Sequence, residues 1–318
     1  ELSLVLEELS AAGCPLLMMV VSPAICGTII SRFGTDEQRQ TWLPGIADGS
    51  KIMAFAITEP DAGSNSHQIS TTAKPGPEGG YLLSGRKVFI SGVDNADAIM
   101  VVGRTSSAEG YLRPALFIVP IDAPGLQYQP IDMELITTER QFMVFLDDVH
   151  LPEEAVVGGA DADLQQLFAG LNPERIMVAA LSVGIGRHAL ARATSYVKER
   201  SVWGKPIGAH QGLAHPLAQA AIELELAKLM MQKAAWLYDN GDDRASGEAA
   251  NMAKYSAAEA AVRAVDQAVQ SLGGNGMTVE YGLAVLINVA RVGRVAPVSR
   301  EMILNFVAQQ TLGLPRSY

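Results

Sequence analysis

A block of short strand-like runs between two helical regions most constrains the fold of this chain. The runs are KVFISG, IMVVGR, ALFIVPI and MVFLDDVHL, each short and rich in β-branched or apolar residues. Turn-forming pairs separate them, at Gly79-Gly80, Asp94-Asn95 and Pro124-Gly125. This alternation of strands and turns predicts a central β domain over residues 54–158, built as an antiparallel barrel or sandwich.

Helical patterns flank the strand block on both sides. Residues 1–53 begin with an apolar helical face that includes Leu2, Leu6 and Leu9, and Thr35 is placed to cap a later helix. Residues 159–318 are rich in alanine, and long helical stretches with short connections indicate a four-helix bundle there. The chain is therefore predicted to be an α+β multidomain protein, with an N-terminal helical domain at 1–53, the central β domain and a C-terminal bundle at 159–318.

The helices of the last region can be placed from their end signals. Asn172 and Pro173 have the residue types of an N-cap and a first helical position, so one long helix is predicted to begin there and to run towards Arg200. Further helices are predicted at His215–Asn240, at Glu248–Leu272 and in the stretch that ends near Leu312.

Composition excludes several classes of partner. The net charge of −10 and the pI of about 5.0 argue against nucleic acid or an anionic membrane surface. Glycine and proline interrupt the apolar stretch Ala11–Ile30, so no membrane insertion is predicted, and no signal peptide is visible, so a cytoplasmic location is expected. Cys14 and Cys26 are expected to be buried small hydrophobes. The histidines show no ligand spacing, so no metal site is predicted.

The run FAITEPDAGSN, Phe55 to Asn65, is the first candidate site segment. A short apolar strand opens there into a polar loop, and Gly63 permits backbone conformations that other residues resist. The donors and acceptors of the loop are Thr58, Glu59, Asp61, Ser64 and Asn65. Such a loop can lay hydroxyls and backbone N–H groups along a flat polar ligand, although an ordinary strand-to-turn junction has a similar composition.

The segment GRKVFISG is the second candidate, because Phe89, Ile90 and Ser91 place an aromatic ring and a hydroxyl close together. The ring can shield one edge of a flat cofactor and the hydroxyl can donate to it. A plain strand with Phe89 in the core is the alternative interpretation.

Two segments of the last region carry groups suited to phosphates and nucleotides. In ERSVWGKPIGAHQ, Arg200 offers a fork of donors for a pyrophosphate, Trp203 can pack on a cofactor, and Gln211 can bind an adenylate or ribose group. In QSLGGNG, which begins at Gln270, two glycines allow close backbone approach to a phosphate. A helix-terminal cation and a helix C-cap are the respective alternatives. No strand-anchored GxGxxG with a downstream acid occurs, so a Rossmann site is not predicted.

Together the four segments resemble the signatures of the acyl-CoA dehydrogenases, flavoproteins that desaturate acyl thioesters between the α and β carbons. The resemblance covers nearly the whole chain but lacks the family's opening helices. It implies FAD as cofactor, acyl-CoA as substrate and an electron-transferring flavoprotein as electron acceptor. In this family the segment that matches QSLGGNG contacts the flavin of a neighbouring subunit, so the resemblance also implies a homodimer or homotetramer. The residues that it implies for flavin binding are Phe55, Ile57, Thr58, Gly63, Ser64, Phe89, Ile90, Ser91, Arg200, Trp203, Gln211, Gln270, Gly273, Gly274 and Ser299.

The family places its catalytic base at one of two positions. Many members carry it in a Tyr-Glu-Gly-Thr run near the C-terminus, but here Ala296 and Pro297 occupy the Tyr-Glu positions, and proline cannot abstract a proton. Other members have a glutamate before an arginine in a long helix, and LNPERIMVAA supplies Glu174 and Arg175. Glu174 is therefore predicted to be the base. The residues implied to contact substrate are Ser64, Asn172 and Arg175.

Three functions are compatible with these residues. The first is FAD-dependent acyl-CoA dehydrogenation, in which Glu174 removes the α-proton while the β-hydride passes to flavin N5. The second keeps the fold but alters the chemistry, as an oxidase, a monooxygenase or a dehydrogenase acting on a carrier-protein thioester, and Pro297 motivates it. A non-enzymatic helical scaffold is the third, and the four matched segments disfavour it.

Overall fold

The computed structural model describes residues 1–77, 79–106, 112–159 and 164–316. The chain forms two compact units. The strand unit consists of Leu17–Met133 and Thr138–Glu174, and the helix unit consists of Glu1–Leu16, Glu134–Thr137 and Arg175–Tyr318. Segments that are far apart in the sequence therefore belong to the same unit.

Along the described residues, a helical block is followed by a strand block and then by a second, mainly helical block. The helices are α1 (Leu2–Ala11), α2 (Thr28–Phe33), α3 (Asp36–Asp48), α4 (Leu164–Glu199), α5 (Gln211–Asp239), α6 (Asp243–Leu272), α7 (Leu286–Val295) and α8 (Arg300–Phe306). The strands are β1 (Met53–Ala56), β2 (Thr72–Pro75), β3 (Tyr81–Ser91), β4 (Ala98–Ser106), β5 (Leu112–Pro120), β6 (Leu126–Ile131), β7 (Gln141–Leu151), β8 (Ser201–Val202) and β9 (Lys205–Pro206). A π-helix, Val20–Gly27, leads directly into α2.

Seven strands form the sheet of the strand unit, in the order β1-β4-β2-β3-β7-β6 with β5 paired to β4. β4 is parallel to β1 and to β2, and the other pairs are antiparallel. The α+β fold class is confirmed, but the prediction of purely antiparallel strands is wrong for β1 and β2. β3 runs opposite to β2, and the chain reverses again before β4. β4 therefore runs in the same direction as β1 and β2.

Both faces of this sheet are buried around β4. Successive residues of a strand point to opposite faces, so Ile99 and Val101 of β4 pack into one core with Phe117, while Met100 packs into a second core with Ile25 of the π-helix. The helical segment before β1 therefore covers the second face, and Met53 of β1 joins the core there.

The predicted cap at Thr35 is confirmed as a reciprocal capping box at the start of α3. The Gln38 N–H donates to Thr35 Oγ1 over 3.2 Å, and the Thr35 N–H donates to Gln38 Oε1 over 3.0 Å. The same glutamine donates through Nε2 to the carbonyl oxygens of Glu154 and Val156, at 2.8 and 2.9 Å. One side chain thus caps α3 and ties it to the segment after β7.

Among the described residues, the helix unit contains α4 from Arg175 onward, the long helices α5 and α6, and the shorter helices α1, α7 and α8. Its core is dominated by alanine, including Ala227, Ala234, Ala253 and Ala257, each with no exposed surface. Small side chains let helix backbones approach closely, which explains the alanine-rich composition of this region.

The long helix α4 begins eight residues before the predicted cap. Pro173 lies inside it and is buried, and Asn172 is an interior residue, so the prediction that they start the helix is wrong. A proline lacks the N–H that would bond one turn back, but the loss of a single hydrogen bond is tolerated where the surrounding packing holds the helix together. The predicted end near Arg200 is confirmed, because α4 ends at Glu199.

One helix among the described residues has the length and composition of a membrane span. It is the stretch Ala169–Glu199 of α4, and 67% of its most apolar window is buried inside the protein. Such burial is typical of a core helix. The two cysteines differ from the expectation: Cys26 is buried, as predicted, but Cys14 is exposed, and both are free thiols.

Candidate active site

Glu59 anchors the loop that follows β1. Its two carboxylate oxygens accept five hydrogen bonds: from the N–H and Oγ of Ser70 at 2.6 and 2.7 Å, from the N–H and Oγ1 of Thr71 at 2.9 and 2.6 Å, and from Lys87 Nζ at 2.9 Å. The side chain of Glu59 is only 4% exposed. The loop is thereby closed at its base, and the predicted site residues Gly63 and Ser64 are left exposed at its tip.

Lys87 is the buried partner of Glu59 and has no exposed surface. It also donates to the carbonyl oxygen of Ile57 over 3.0 Å, so it joins β3 to the exit of β1. Burial lowers the pKa of Lys87 to about 8, against the attraction of Glu59. Burial acts to raise the pKa of Glu59, but the hydrogen bonds from Ser70, Thr71 and Lys87 outweigh it and lower that pKa to about 2.

The two predicted flavin segments of the strand unit adjoin each other. The Val88 N–H donates to the carbonyl oxygen of Thr58 over 3.0 Å, next to the Lys87–Ile57 contact. Phe55, in β1, and Ile57 and Thr58, directly after it, are half-buried. The structure therefore brings the Phe55–Ser64 loop and the Phe89–Ser91 stretch together, as their proposed common ligand requires.

Phe89 lies in an unusual backbone conformation. The pairing of β3 with β7 shifts register between Lys87 and Ile90, and within this bulge Phe89 has a φ of +58°. Its ring is 57% exposed, while Ile90 is buried. A positive φ at a bulky residue is strained, and the strain here displays an aromatic ring that a plain strand would bury. The alternative of Phe89 as a core residue is thus wrong.

The position of Glu174 follows from the packing of α4 on the segment before β1. A Cβ added at Gly170, one turn before Glu174, would come within 3.1 Å of side-chain atoms of Ile25 and Ile29. The Cys26 thiol faces the carbonyl oxygen of Ala54 in β1, over 3.7 Å. Burial raises the pKa of that thiol, and the negative charge of Glu174 raises it further. Glu174 thus lies one turn after the contact of α4 with Ile25 and Ile29, and its charge acts on the neighbouring Cys26.

The residues implied for substrate contact fall into different parts of the fold. Ser64 is exposed in the loop of the strand unit, and Asn172 is half-buried in α4 of the same unit. Arg175 is half-buried and is the first residue of α4 that belongs to the helix unit.

The predicted pyrophosphate segment forms a tight hairpin after α4. β8 and β9 pair across Trp203 and Gly204, which both have positive φ, and the Ile207 N–H closes the turn on the Arg200 carbonyl oxygen over 2.8 Å. Trp203 is 87% exposed and contacts His210 edge to face, with ring centroids 5.9 Å apart. Arg200 and Gln211 are also exposed, so their polar groups are open to a ligand.

The glycine turn after α6 adjoins the end of α4 within the helix unit. Gly273 has a φ of +57°, and a Cβ added at Gly273 or Gly274 would meet no atom within 4 Å. Asn275 Nδ2 donates to the Tyr196 hydroxyl over 3.0 Å, which links the turn to the last part of α4. Gln270 is exposed just before the turn. These two segments, predicted separately, are therefore neighbours, and the open glycines fit the approach of a phosphate.

The segment where the family often places its base is held firmly but carries no acid between residues 295 and 299. Glu259 of α6 accepts from Arg294 Nη2 at 2.6 Å and from Arg300 Nη1 at 3.3 Å, and Lys254 donates to the Val298 carbonyl oxygen. Ser299, implied for flavin binding, accepts from the Met302 N–H over 3.3 Å and caps α8. These hydrogen bonds hold the segment in place, but residues 295–299 offer no carboxylate that could accept a proton.

Each unit by itself carries groups whose chemistry suits part of a flavin nucleotide. The strand unit offers an exposed aromatic ring, the hydroxyls of Thr58, Ser64 and Ser91, and a loop fixed at its base; the helix unit offers Arg200 and open glycines. Within the described residues no cluster of three or more histidine, cysteine, aspartate or glutamate side chains has the arrangement of a metal site.

A cavity of about 490 Å³ in the helix unit borders the segment between Arg200 and Gln211, because Pro206, Gly208 and Ala209 line it. Apolar and small side chains of α4, α5 and the segment after β9 line it, among them Leu190, Val197 and Leu217. None of the predicted site residues lines it, so it does not define the candidate site.

Comparison with known proteins agrees with this arrangement. The chain matches family models for the N-terminal, middle and C-terminal domains of acyl-CoA dehydrogenase over residues 1–50, 54–149 and 164–312. It is 69% identical over 319 residues to the acyl-CoA dehydrogenase fadE12 of Mycobacterium tuberculosis, a match that covers 100% of this chain and 82% of that relative.

Solved structures give the same result. The fold is similar to butyryl-CoA dehydrogenase from Megasphaera elsdenii, with a TM-score of 0.91 and 30% identity over 98% of this chain and 81% of the other. It is also similar to a glutaryl-CoA dehydrogenase from Mycobacterium smegmatis in complex with FADH2, with a TM-score of 0.91 and 26% identity over 99% of this chain and 80% of the other.

Proposed function

The chain belongs to the acyl-CoA dehydrogenase family, and from this premise we propose which residues carry its FAD-dependent dehydrogenation of an acyl thioester. FAD supplies the acceptor for the β-hydride when it is bound. Glu174 is the base, and one of its carboxylate oxygens takes the α-proton. Two observations support this role: Glu174 lies in α4 one turn after Gly170, which packs against Ile25 and Ile29, and residues 295–299 include no acid.

The strand unit binds the flavin ring in this proposal. Phe89 covers one edge of the ring, Ser91 donates to the nitrogen that receives the hydride, and Thr58 and the backbone of the exposed loop contact the ring's polar edge. Phe55, Ile57, Gly63, Ser64 and Ile90 complete this set. The Glu59–Lys87 ion pair supports the role, because it holds the loop and the β3 bulge at a fixed separation.

The helix unit binds the remaining part of the nucleotide. Arg200 bonds the pyrophosphate, Trp203 packs on the cofactor, and Gln211 and Gln270 offer hydrogen bonds. Gln270, Gly273 and Gly274 act on the flavin of a neighbouring subunit, where the two glycines let the backbone approach a phosphate, and Ser299 completes the set. Support comes from the exposure of these groups and from the Tyr196–Asn275 contact that joins the two segments.

The substrate is an acyl-CoA, contacted by Ser64, Asn172 and Arg175, and an electron-transferring flavoprotein removes the electrons. The protein is a homodimer or homotetramer. An outward apolar stripe on α5 supports assembly, because Ile222, Leu226, Leu229 and Trp236 are between 54 and 64% exposed at helical spacing. The two free thiols are typical of a reducing compartment, which supports a cytoplasmic location.

The test of Glu174 is an anaerobic titration of the full-length Glu174→Gln variant with a panel of acyl-CoAs, followed by flavin absorbance. We expect FAD to stay bound and its reduction to slow by about 10²- to 10⁴-fold, because a positioned general base contributes that factor. Glu225→Gln, at an exposed position on α5, is the matched control and should reduce normally.

Unchanged reduction in the Glu174→Gln variant would refute the assignment of the base. Bound flavin that no acyl-CoA reduces in the parent protein would instead favour a carrier-bound substrate or altered chemistry.

A further inference from the structure

Ser91 and Gln141 form a cross-strand pair whose partners both lie at strand ends. Ser91 is the last residue of β3, Gln141 is the first of β7, and they are directly opposite in register. The Gly92 N–H donates to the Arg140 carbonyl oxygen over 2.9 Å, which fixes the backbone beside the pair. The neighbouring pair, Ile90 and Phe142, packs into the core. Ser91 and Gln141 therefore face the opposite side of the sheet.

The two side chains are hydrogen-bonded. Ser91 Oγ donates to Gln141 Oε1 over 3.1 Å, and Gln141 is only 9% exposed. A serine hydroxyl has one proton to donate and two lone pairs that accept. While its proton is directed at Gln141, Ser91 has none left for a cofactor.

The glutamine amide can resolve this competition for the Ser91 proton. It can place opposite Ser91 either its oxygen, which accepts, or its nitrogen, which donates. A half-turn about its last side-chain bond replaces Oε1 with Nε2, so Ser91 then accepts from Gln141 and its proton is free. We propose that Gln141 is a positioning residue that sets the direction of the Ser91 hydroxyl proton. This inference rests on the proposed function, in which Ser91 faces the hydride-accepting nitrogen of the flavin.

The reaction requires both directions of this bond. Before hydride transfer Ser91 has to donate to an unprotonated nitrogen, and after transfer it has to accept from an N–H. In the first state Gln141 Nε2 donates to Ser91, and in the second Ser91 donates to Gln141 Oε1, the arrangement that the structure has. A side chain that only accepts, or that forms no hydrogen bond, supports at most one of the two states.

The test is a double-mutant cycle in the full-length protein with Ser91→Ala, Gln141→Leu and the double variant. Three quantities are measured: the dissociation constant for FAD, the midpoint potential of the bound flavin, and the rate constant of flavin reduction by an acyl-CoA. We expect each single variant to slow reduction about five- to tenfold, the effect of one hydrogen bond. The double variant should be no slower than Ser91→Ala and should have the same potential, because Gln141 acts only through Ser91.

Two further variants separate positioning from folding. Gln141→Glu has almost the same shape but only accepts hydrogen bonds when ionised, so it should also slow reduction while the fold is kept. Gln129→Leu, at an exposed position of the adjacent strand β6, is the control and should behave as the parent.

Additive effects of Ser91→Ala and Gln141→Leu, or a Gln141→Leu variant that behaves like Gln129→Leu, would overturn the proposal. Failure of the proposed function is distinguishable, because it would appear as a parent flavin that no acyl-CoA reduces. The comparison of flavin potentials among the variants still decides the role of Gln141 in that case.

Discussion

At the scale of single residues, the Glu59–Lys87 pair is the main feature that the sequence did not reveal. Both side chains are withdrawn from water, with exposed fractions of 4% and 0%. Two polar neighbours complete the hydrogen bonding of the carboxylate, which is the condition under which a buried ion pair is tolerated. The signal was present as a lysine within the apolar run KVFI and a glutamate in the loop motif, but the partners are 28 positions apart.

The acid dependence of stability should report on Glu59. Its pKa is lowered from 4.5 to about 2 in the folded protein. Its contribution is therefore fully present above pH 4.5 and is lost as the pH falls towards 2, because the unfolded state takes up the proton first. The difference corresponds to roughly 3 kcal/mol. We expect Glu59→Gln to be less stable than the parent at pH 7 and to lose less stability on acidification, measured as urea midpoints from pH 7 to pH 2.5.

Glu225→Gln controls for the loss of an exposed negative charge in that experiment. If the urea midpoints of Glu59→Gln and of the parent fell equally steeply as the pH is lowered, the role of Glu59 would be contradicted.

At the scale of elements, the bulge in β3 exposes an aromatic ring and lowers stability through backbone strain. Phe89 keeps a positive φ and an exposed ring, a combination that costs about 1–3 kcal/mol of strain. Phe89→Ala should remove the ring and keep the strain, whereas Phe89→Gly should remove both. We expect both variants to bind FAD about tenfold more weakly, measured by titration of the apoprotein, and Phe89→Gly to be the more stable of the two in thermal unfolding.

The opposite order of stability would show that Phe89 is not strained. Unchanged FAD affinity in both variants would remove the ring from the flavin site.

The local signals in the sequence were sufficient for some elements and not for others. The capping box at Thr35 and Gln38 could be predicted because all of its groups lie within four residues. The start of α4 could not, because the Asn-Pro pair at 172 and 173 resembles a helix start while the helix continues through it. The parallel pairing of β1 and β2 with β4 was also missed, because strand direction depends on chain reversals that no single run records.

At the scale of the whole molecule, the apolar stripe on α5 should control assembly. Leu226 is 62% exposed near the middle of that stripe. We expect Leu226→Glu to shift the protein from oligomer towards monomer in sedimentation velocity, because a charge in an apolar interface is costly to desolvate. Gln219→Glu, at an exposed position one turn before the stripe, should leave the oligomer intact. If the Leu226→Glu variant sedimented as the same oligomer as the parent, the stripe would not be part of the interface.

The motifs pick out the segments of the candidate site but not the contacts within and beside them. Residues 57–58 contact residue 88, and residue 275 contacts residue 196, which lies just before the Arg200 segment. The supporting roles of Glu59, Lys87 and Gln141 escaped prediction because their partners are distant along the chain. Such partners are specified by the folded sheet rather than by spacing along the chain.

Glu59 acts on its loop as a cross-link does. It joins position 59 to position 71 through ordinary hydrogen bonds, across a span of twelve positions. Closing a flexible loop of that length costs about 2 kcal/mol of chain entropy, which a covalent bridge would remove permanently. The carboxylate closes the loop without any sulfur chemistry, so the closure is insensitive to oxidants and reductants. An enzyme that handles electrons in each turnover thus keeps this loop closed by a link that has no redox state.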